Sequence, residues 1–126
     1  MNIFYLDKNP IVAAEMSCDK HVCKMIIESA QMLSTAHRMI DGTEYTDKTK
    51  AGRRIKRWRH PNSNMEHTLY KACHTGHPST LWVMESAYNY HWLYKHMMAL
   101  NTEFKMRYGH IPVSYTHLTL PTKRIV

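Results

Sequence analysis

The sequence predicts a mainly α fold: a small single domain with two long packed helices, a short extended segment at its N-terminus and a long basic loop. Three observations point there. From Asp19 to Arg38, Val22, Met25, Ile26, Ile27, Ala30, Met32, Leu33 and Ala36 cover most of the circumference at helical periodicity. From Thr80 to Tyr108, Val83, Ala87, Tyr90, Tyr94, Met97, Phe104 and Tyr108 keep a three-or-four spacing, broken only by Asn101. Between these stretches, from Thr43 to Asn64, the apolar period vanishes and Lys and Arg crowd in.

Each element follows from its own residues. Asn2 to Leu6 is short, apolar and β-prone, so it reads as a strand or an extended lead-in. Asn9 is a helix cap with Pro10 at the first helical position, followed by Ile11, Val12, Ala13 and Ala14. Asp19 caps the first long helix, which runs to about Ile40 and stops at Asp41-Gly42. Thr43 to Asn64 is the basic loop, a hairpin being the other form it can take. Asn64 caps a helix from Met65 to about Cys73, with Gly76 as its stop. His77-Pro78-Ser79 opens the last helix, and Gly109 ends it. There is no internal repeat.

Composition narrows the class. The chain has 126 residues, 44% of them hydrophobic and 21% charged, which suits one globular domain and argues against disorder. Ten Met and eight Tyr against two Phe suggest an adaptable, amphipathic core. Three Cys without framework spacing point to reduced thiols. The start, Met-Asn-Ile-Phe-Tyr-Leu-Asp, lacks the basic region and apolar core of a signal peptide. No apolar run approaches the ~20 residues of a membrane span. The expectation is a soluble cytoplasmic protein with no membrane partner. The formal net charge of +7 points to a polyanionic partner, most simply nucleic acid.

Residues 113–126 stand apart. Val113-Ser-Tyr-Thr-His-Leu-Thr-Leu-Pro-Thr122 can be encoded by a DNA string resembling the transposase adapter used to build sequencing libraries. The expectation is a domain at 1–112, truncated at its C-terminus, followed by a non-native tail.

The candidate chemistry lies on the first long helix. Lys20, His21, Lys24, Glu28, Gln31, Thr35 and Arg38 fall in one arc of about 100° on an otherwise apolar rod. Ionisable groups in so narrow a strip invite a functional reading. Burial on an apolar helix favours the neutral form of the Glu28 carboxyl, while Lys24 one turn earlier favours the ionised form. A carboxyl between those pressures suits general acid–base work. The plain alternative is a solvated Lys24–Glu28 pair, worth about 0.2–0.5 kcal/mol. Lys20 and Lys24 are candidate amine nucleophiles, with His21 and Arg38 on the same face.

The loop carries Lys48, Lys50, Arg53, Arg54, Lys56, Arg57 and Arg59 around Trp58. Such cations neutralise phosphates and give salt-dependent, mostly sequence-independent affinity. Trp58 can stack on an exposed base, or it can fold onto the core. A metal is the competing constellation, from Cys18, His21 and Cys23 with Cys73, His74 and His77, but neither group has a strong zinc spacing and no metal ligand is assigned. His77 either helps cap the last helix or faces the seam across a cleft.

Several of these motifs together resemble a known family. Met-Asn-Ile-Phe-Tyr-Leu, Asp19-Lys-His-Val22, Glu28-x-x-Gln-x-Leu33, Thr35-Ala-His-Arg38 and His77-Pro78 with Trp82 resemble small, mostly uncharacterised proteins of tailed phages, cyanophages among them. More remotely, the plan is similar to the pyrimidine dimer DNA glycosylase (endonuclease V-like) superfamily, with Arg107-Tyr-Gly109 at the end of the last helix. The remote resemblance implies a helical DNA-repair fold in which Glu28 matches the acid that assists glycosidic cleavage. There an N-terminal α-amine forms a Schiff base with the sugar. Here Asn2 disfavours Met removal, so the amine would be that of Met1, Lys20 or Lys24.

The expectation is a DNA-binding phage protein of the infected host cell's cytoplasm, acting as an N-glycosylase on damaged or modified pyrimidines. Glu28 is its acid–base group, with Lys24 and His21 beside it. Lys20, Gln31, Arg38, His77 and Arg107 join the basic loop as DNA contacts. No organic cofactor or metal is needed. The alternatives are a non-catalytic DNA-binding accessory protein and a zinc-binding nucleic-acid module.

Overall fold

A computed structural model describes residues 2–109, so the expected tail at 113–126 lies outside the described residues. The order is α1 (Pro10–Met16), α2 (Asp19–Asp41), β1 (Thr43–Lys48), β2 (Arg54–Arg59), α3 (Ser63–Thr68), α4 (Pro78–Glu85) and α5 (Ala87–Tyr108). The fold is mainly α, as the sequence predicts. No helix among the described residues is long and apolar enough to cross a membrane.

Local chemistry sets most of the boundaries. The Asn9 side chain accepts from the backbone N–H groups of Ile11 and Val12, and Pro10 follows it. α2 starts one residue earlier than a capping Asp19 would require. Cys18 is the cap residue and makes no side-chain cap bond, while Asp19 lies in the first turn, where its charge suits the helix dipole. Gly42 closes α2 with its N–H on the Arg38 carbonyl at 2.8 Å. A Cβ at Gly42 would lie 2.3 Å from that same oxygen and 2.9 Å from the Arg59 carbonyl oxygen, so the first strand can leave the helix here only through glycine.

α2 and α5 bury their apolar faces against each other, with α4 closing one side and α1 lying on α5. Val22, Ile26, Ala30, Leu33 and Ala36 meet Val83, Tyr90, Leu93, Met97 and Leu100 in the core. The expected burial of α2 on three sides holds for its C-terminal half, where every residue from Ser29 to Arg38 except Gln31 is buried. Its N-terminal half is a surface helix, with Cys23, Lys24 and Ile27 exposed.

The basic loop is a β-hairpin. Thr43–Lys48 pairs antiparallel with Arg54–Arg59, from Thr43↔Arg59 to Lys48↔Arg54. At its tip the Gly52 N–H bonds the Thr49 carbonyl at 2.9 Å, and Gly52 adopts φ 80°. A left-handed residue after a tight turn is how short hairpins match strand twist.

Two further boundaries differ from the sequence expectation. The Met65–Cys73 helix is only Ser63–Thr68, capped by the Asn62 side chain rather than Asn64. It stops because side chains elsewhere take the next carbonyls: Arg38 takes those of Leu69 and Tyr70, and Arg57 that of Ala72. The single Thr80–Tyr108 helix is broken at Ser86, which is extended and accepts the Asn89 N–H on its Oγ at 3.1 Å. The Asn89 side chain donates back to the Trp82 carbonyl at 2.8 Å, satisfying a group the break would orphan.

The polar stripe of α5 holds the N-terminal segment. Trp92 Nε1 donates to the Lys8 carbonyl at 2.8 Å, and His96 Nδ1 lies 3.0 Å from the Pro10 carbonyl. Tyr5, Trp92 and His96 stack in a row at 4.6 and 4.9 Å. Residues 2–6 form no strand, and the Leu6 N–H bonds the Phe4 carbonyl at 2.9 Å.

Candidate nucleic-acid interface

The hairpin puts most of the chain's net positive charge on one thin element. Seven cationic side chains between Thr43 and Arg59 face only Glu44 and Asp47, against a whole-chain net charge of +7. Lys48, Lys50, Arg53, Arg54, Lys56 and Arg59 are exposed. Register places Lys48, Arg54, Thr46, Lys56, Glu44 and Trp58 on one face. Asp47, Ile55, Tyr45, Arg57, Thr43 and Arg59 share the other. Two ion contacts are local. Lys56 Nζ lies 3.7 Å from a Glu44 carboxylate oxygen, a surface pair of little stabilising value. The Arg59 guanidinium sits over the Tyr45 ring at 5.0 Å.

The ribbon is anchored by Arg38. This residue is 3% exposed. Its Nε donates to the Tyr70 carbonyl at 2.7 Å. Nη1 donates to the Trp58 carbonyl at 2.8 Å and to the Glu66 carboxylate. Nη2 donates to the carbonyls of Glu66 and Leu69 at 3.1 and 3.0 Å. All five N–H donors of a guanidinium are thus engaged. The expectation of Arg38 as a phosphate contact is corrected: its donors join the hairpin and the 66–70 turn to α2 and leave none for a ligand. Thr35 holds the next stretch, its Oγ1 accepting from the Cys73 N–H at 3.2 Å.

Glu66 completes the anchor. Burial pushes its carboxyl up, but the His60 backbone N–H, the Arg38 hydrogen bond and the charges of Arg38 and Arg59 outweigh this and leave it below its ordinary 4.5. His96 is also held down, by burial against α1, despite the opposing bond to the Pro10 carbonyl. Both groups bind protons less readily folded than unfolded, so both contribute stability above their unfolded values that is lost in acid. The urea midpoint is expected to be flat near neutrality. It should begin to fall below the ordinary histidine value of 6.5, and fall further below 4.5. His96→Asn should remove the first fall and Glu66→Gln the second. A midpoint constant from pH 7 down to pH 4 would exclude both roles.

Arg107 is a second clamp, not a free cation. Its Nη1 donates to the Ser17 carbonyl at 2.8 Å and to Asp19 at 3.0 Å. Its Nη2 donates to the Glu15 carbonyl at 3.1 Å and to Glu103 at 2.8 Å. It ties the end of α5 to the start of α2. Asp19 and Arg38 are about 28 Å apart along α2 at 1.5 Å per residue, so Arg107 and the hairpin are not brought together. His77 caps α4, its Nδ1 accepting from the Ser79 N–H at 3.1 Å.

The rest of the predicted seam is laid out along α2. Lys20 and Lys24 are exposed, and His21 stacks on Phe4 at 4.0 Å with an interplanar angle of 10°. Glu28 is half-buried with Oε2 closed to solvent, and Gln31 is half-buried beside Thr35. Trp58 is half-buried at the hairpin root. Among the described residues no group of three or more His, Cys, Asp and Glu side chains is arranged to hold a metal ion.

At the root, the hairpin, α3 and the following turn enclose a recess of about 260 Å³. Its lining includes Tyr45, His67 and Lys71 beside Arg57 and Trp58. Tyr45, His67 and Lys71 were not singled out by the sequence. Recognising the hairpin, and with it the Tyr45↔Arg57 pairing, would have found Tyr45. Lys71 and His67 carry no local signal. No family model, curated protein or solved structure matches the chain.

Proposed function

We propose that the protein binds nucleic acid, DNA by preference, through the basic hairpin. The observation that supports this is an exposed two-stranded ribbon bearing most of the net charge and anchored at its base by a buried arginine. Six-residue strands are about 20 Å long, and a two-stranded ribbon is thin enough for a major groove about 12 Å wide. Contacts from such side chains go chiefly to phosphates and make affinity fall with salt. Fluorescence anisotropy on labelled duplexes of several sequences, at a series of salt concentrations, tests it. The expected result is micromolar or tighter binding at low salt, little sequence preference and a steep salt slope. A neutral slope or no binding would remove the reading.

A catalytic reading rests on Glu28, whose half-sunken carboxyl lies on the same helix as the ribbon's anchor, about 15 Å from Arg38 along the axis. In an N-glycosylase it would serve as the acid–base group. Water adds to the sugar carbon as the C–N bond breaks, and the base leaves with a proton. His21, Lys24 and Gln31 would position the sugar and phosphate, and Trp58 could fill the gap left by an extruded base. The full-length protein in chelator should produce alkali-labile sites in ultraviolet-irradiated duplex. Glu28→Gln should cut that yield at least about 100-fold while leaving binding unchanged. No base release from damaged or modified DNA by the intact protein would defeat the catalytic reading and leave the accessory-protein one.

A further inference from the structure

We propose that the recess at the hairpin root is a phosphate-binding pocket that takes one backbone phosphate of the bound nucleic acid. Its assignment to a nucleic-acid strand rests on the function proposed above. Its charge and shape do not.

Arg38 and Glu66 form its floor and cancel each other, and the donors of Arg38 are all engaged with protein acceptors. The other lining residues include Arg57 and Lys71 and no further carboxylate. The recess is therefore cationic on balance.

Arg57 is poised rather than spent. Its Nη1 donates to the Ala72 carbonyl at 2.9 Å, the one acceptor that the described residues give this guanidinium. Its Nε is closed to water and has no acceptor. A guanidinium fixed at Nη1, with no protein acceptor on Nη2, keeps donor capacity for an oxyanion at the mouth of the recess. Lys71 is exposed on the turn that Arg38 and Arg57 hold in place, and brings a point charge to the same anion. Tyr45, on the same ribbon face as Arg57, gives an aromatic wall on which a sugar or base next to the phosphate can rest. The site differs from the hairpin tip: the tip offers exposed charges, the root a built concavity.

Amide NMR with inorganic phosphate as the probe, and duplex binding by the full chain, test this together. Phosphate should shift the signals of Tyr45, Arg57 and residues 66–72, not those of 48–54. Lys71→Gln should weaken phosphate binding at least fivefold and lower the duplex salt slope by about one. Arg57→Gln should weaken phosphate binding more, with a melting curve to confirm folding and partial rescue by Arg57→Lys. Equal duplex affinity with and without a 5′-phosphate assigns the site to a backbone rather than a terminal phosphate. Shifts spread along 48–54, or wild-type behaviour of Lys71→Gln, would overturn the pocket while leaving hairpin-mediated DNA binding in place. Phosphate binding at the root without duplex binding would keep the pocket and overturn the strand as its source.

Discussion

Arg38→Ala should lower the unfolding free energy by about 3–5 kcal/mol, the cost of removing a buried charged group whose five donors are all engaged. That is a large part of the 5–15 kcal/mol that stabilises a typical domain. Three losses combine. The Glu66 carboxylate stays partly buried without its countercharge, although the His60 N–H still reaches it at 2.9 Å. The carbonyls of Trp58, Glu66, Leu69 and Tyr70 lose their donor, at a buried contact for Leu69 and part-buried ones for the others. A cavity opens where a side chain only 3% exposed used to be. Arg38→Lys should recover little, because one ammonium with three donors cannot span acceptors that a planar fork reaches together. Urea titration at neutral pH measures the effect. In thermal melting it corresponds to a fall of roughly 15–30 °C for a domain near 100 residues. The outcome separates two roles the sequence could not. A phosphate contact at residue 38 would lose DNA affinity and keep its melting temperature; the structural clamp loses its melting temperature first.

The sequence cannot tell a clamp from a surface contact at residue 38, for a physical reason. Its place on the polar arc of α2 is local and follows from periodicity. What fills that arc is not local: the acceptors come from residues 20 to 32 positions later in the chain, and Glu66 is 28 positions away. The same limit hid the short α3. Asn62 and Asn64 are equivalent as caps on paper, and the helix ends early because Arg38 and Arg57 draw off its next carbonyls. It also hid the role of Trp92, His96 and Arg107. Their spacing shows a polar stripe, and only tertiary structure shows that the stripe carries the N-terminal segment and α1.

Features with local causes were readable. The Asn9–Pro10 start, the Gly42 stop and the left-handed Gly109 all follow from caps and backbone freedom. So does the pairing of two long helices, since α2 and α5 each present an apolar face that nothing else in so short a chain could cover. The hairpin lay between these cases. Seven cations masked its alternation, and the break at Ser86 was submerged in a continuous apolar run. Of the candidate interface, the basic segment is legible in the sequence. The concavity at the hairpin root is not, because tertiary structure gathers its lining from positions 38 to 72.

Replacing Lys48, Lys50, Arg53 and Arg54 together with Gln should leave the fold intact and remove most of the binding. All four side chains are exposed around the hairpin tip, far from the Arg38 clamp, so the melting temperature should move by no more than a few degrees. Stability should, if anything, rise. Lys48 and Arg54 are directly opposed in the register, and like charges in such a pair repel. A ribbon that keeps this repulsion in the free protein is expected to relieve it on a polyanion. Each cation that meets a phosphate contributes about 0.9 to the slope of log affinity against log salt, so losing four should lower the slope by about three to four. At about 50 mM salt the affinity for a duplex should fall by roughly two orders of magnitude, equally for every sequence tried. Anisotropy titrations of wild-type and quadruple-variant protein at matched salt series provide the measurement. An unchanged slope with an unchanged melting curve would move the interface off the ribbon altogether. A reduced slope with intact phosphate shifts at residues 66–72 would show tip and root acting as separate contacts on one strand.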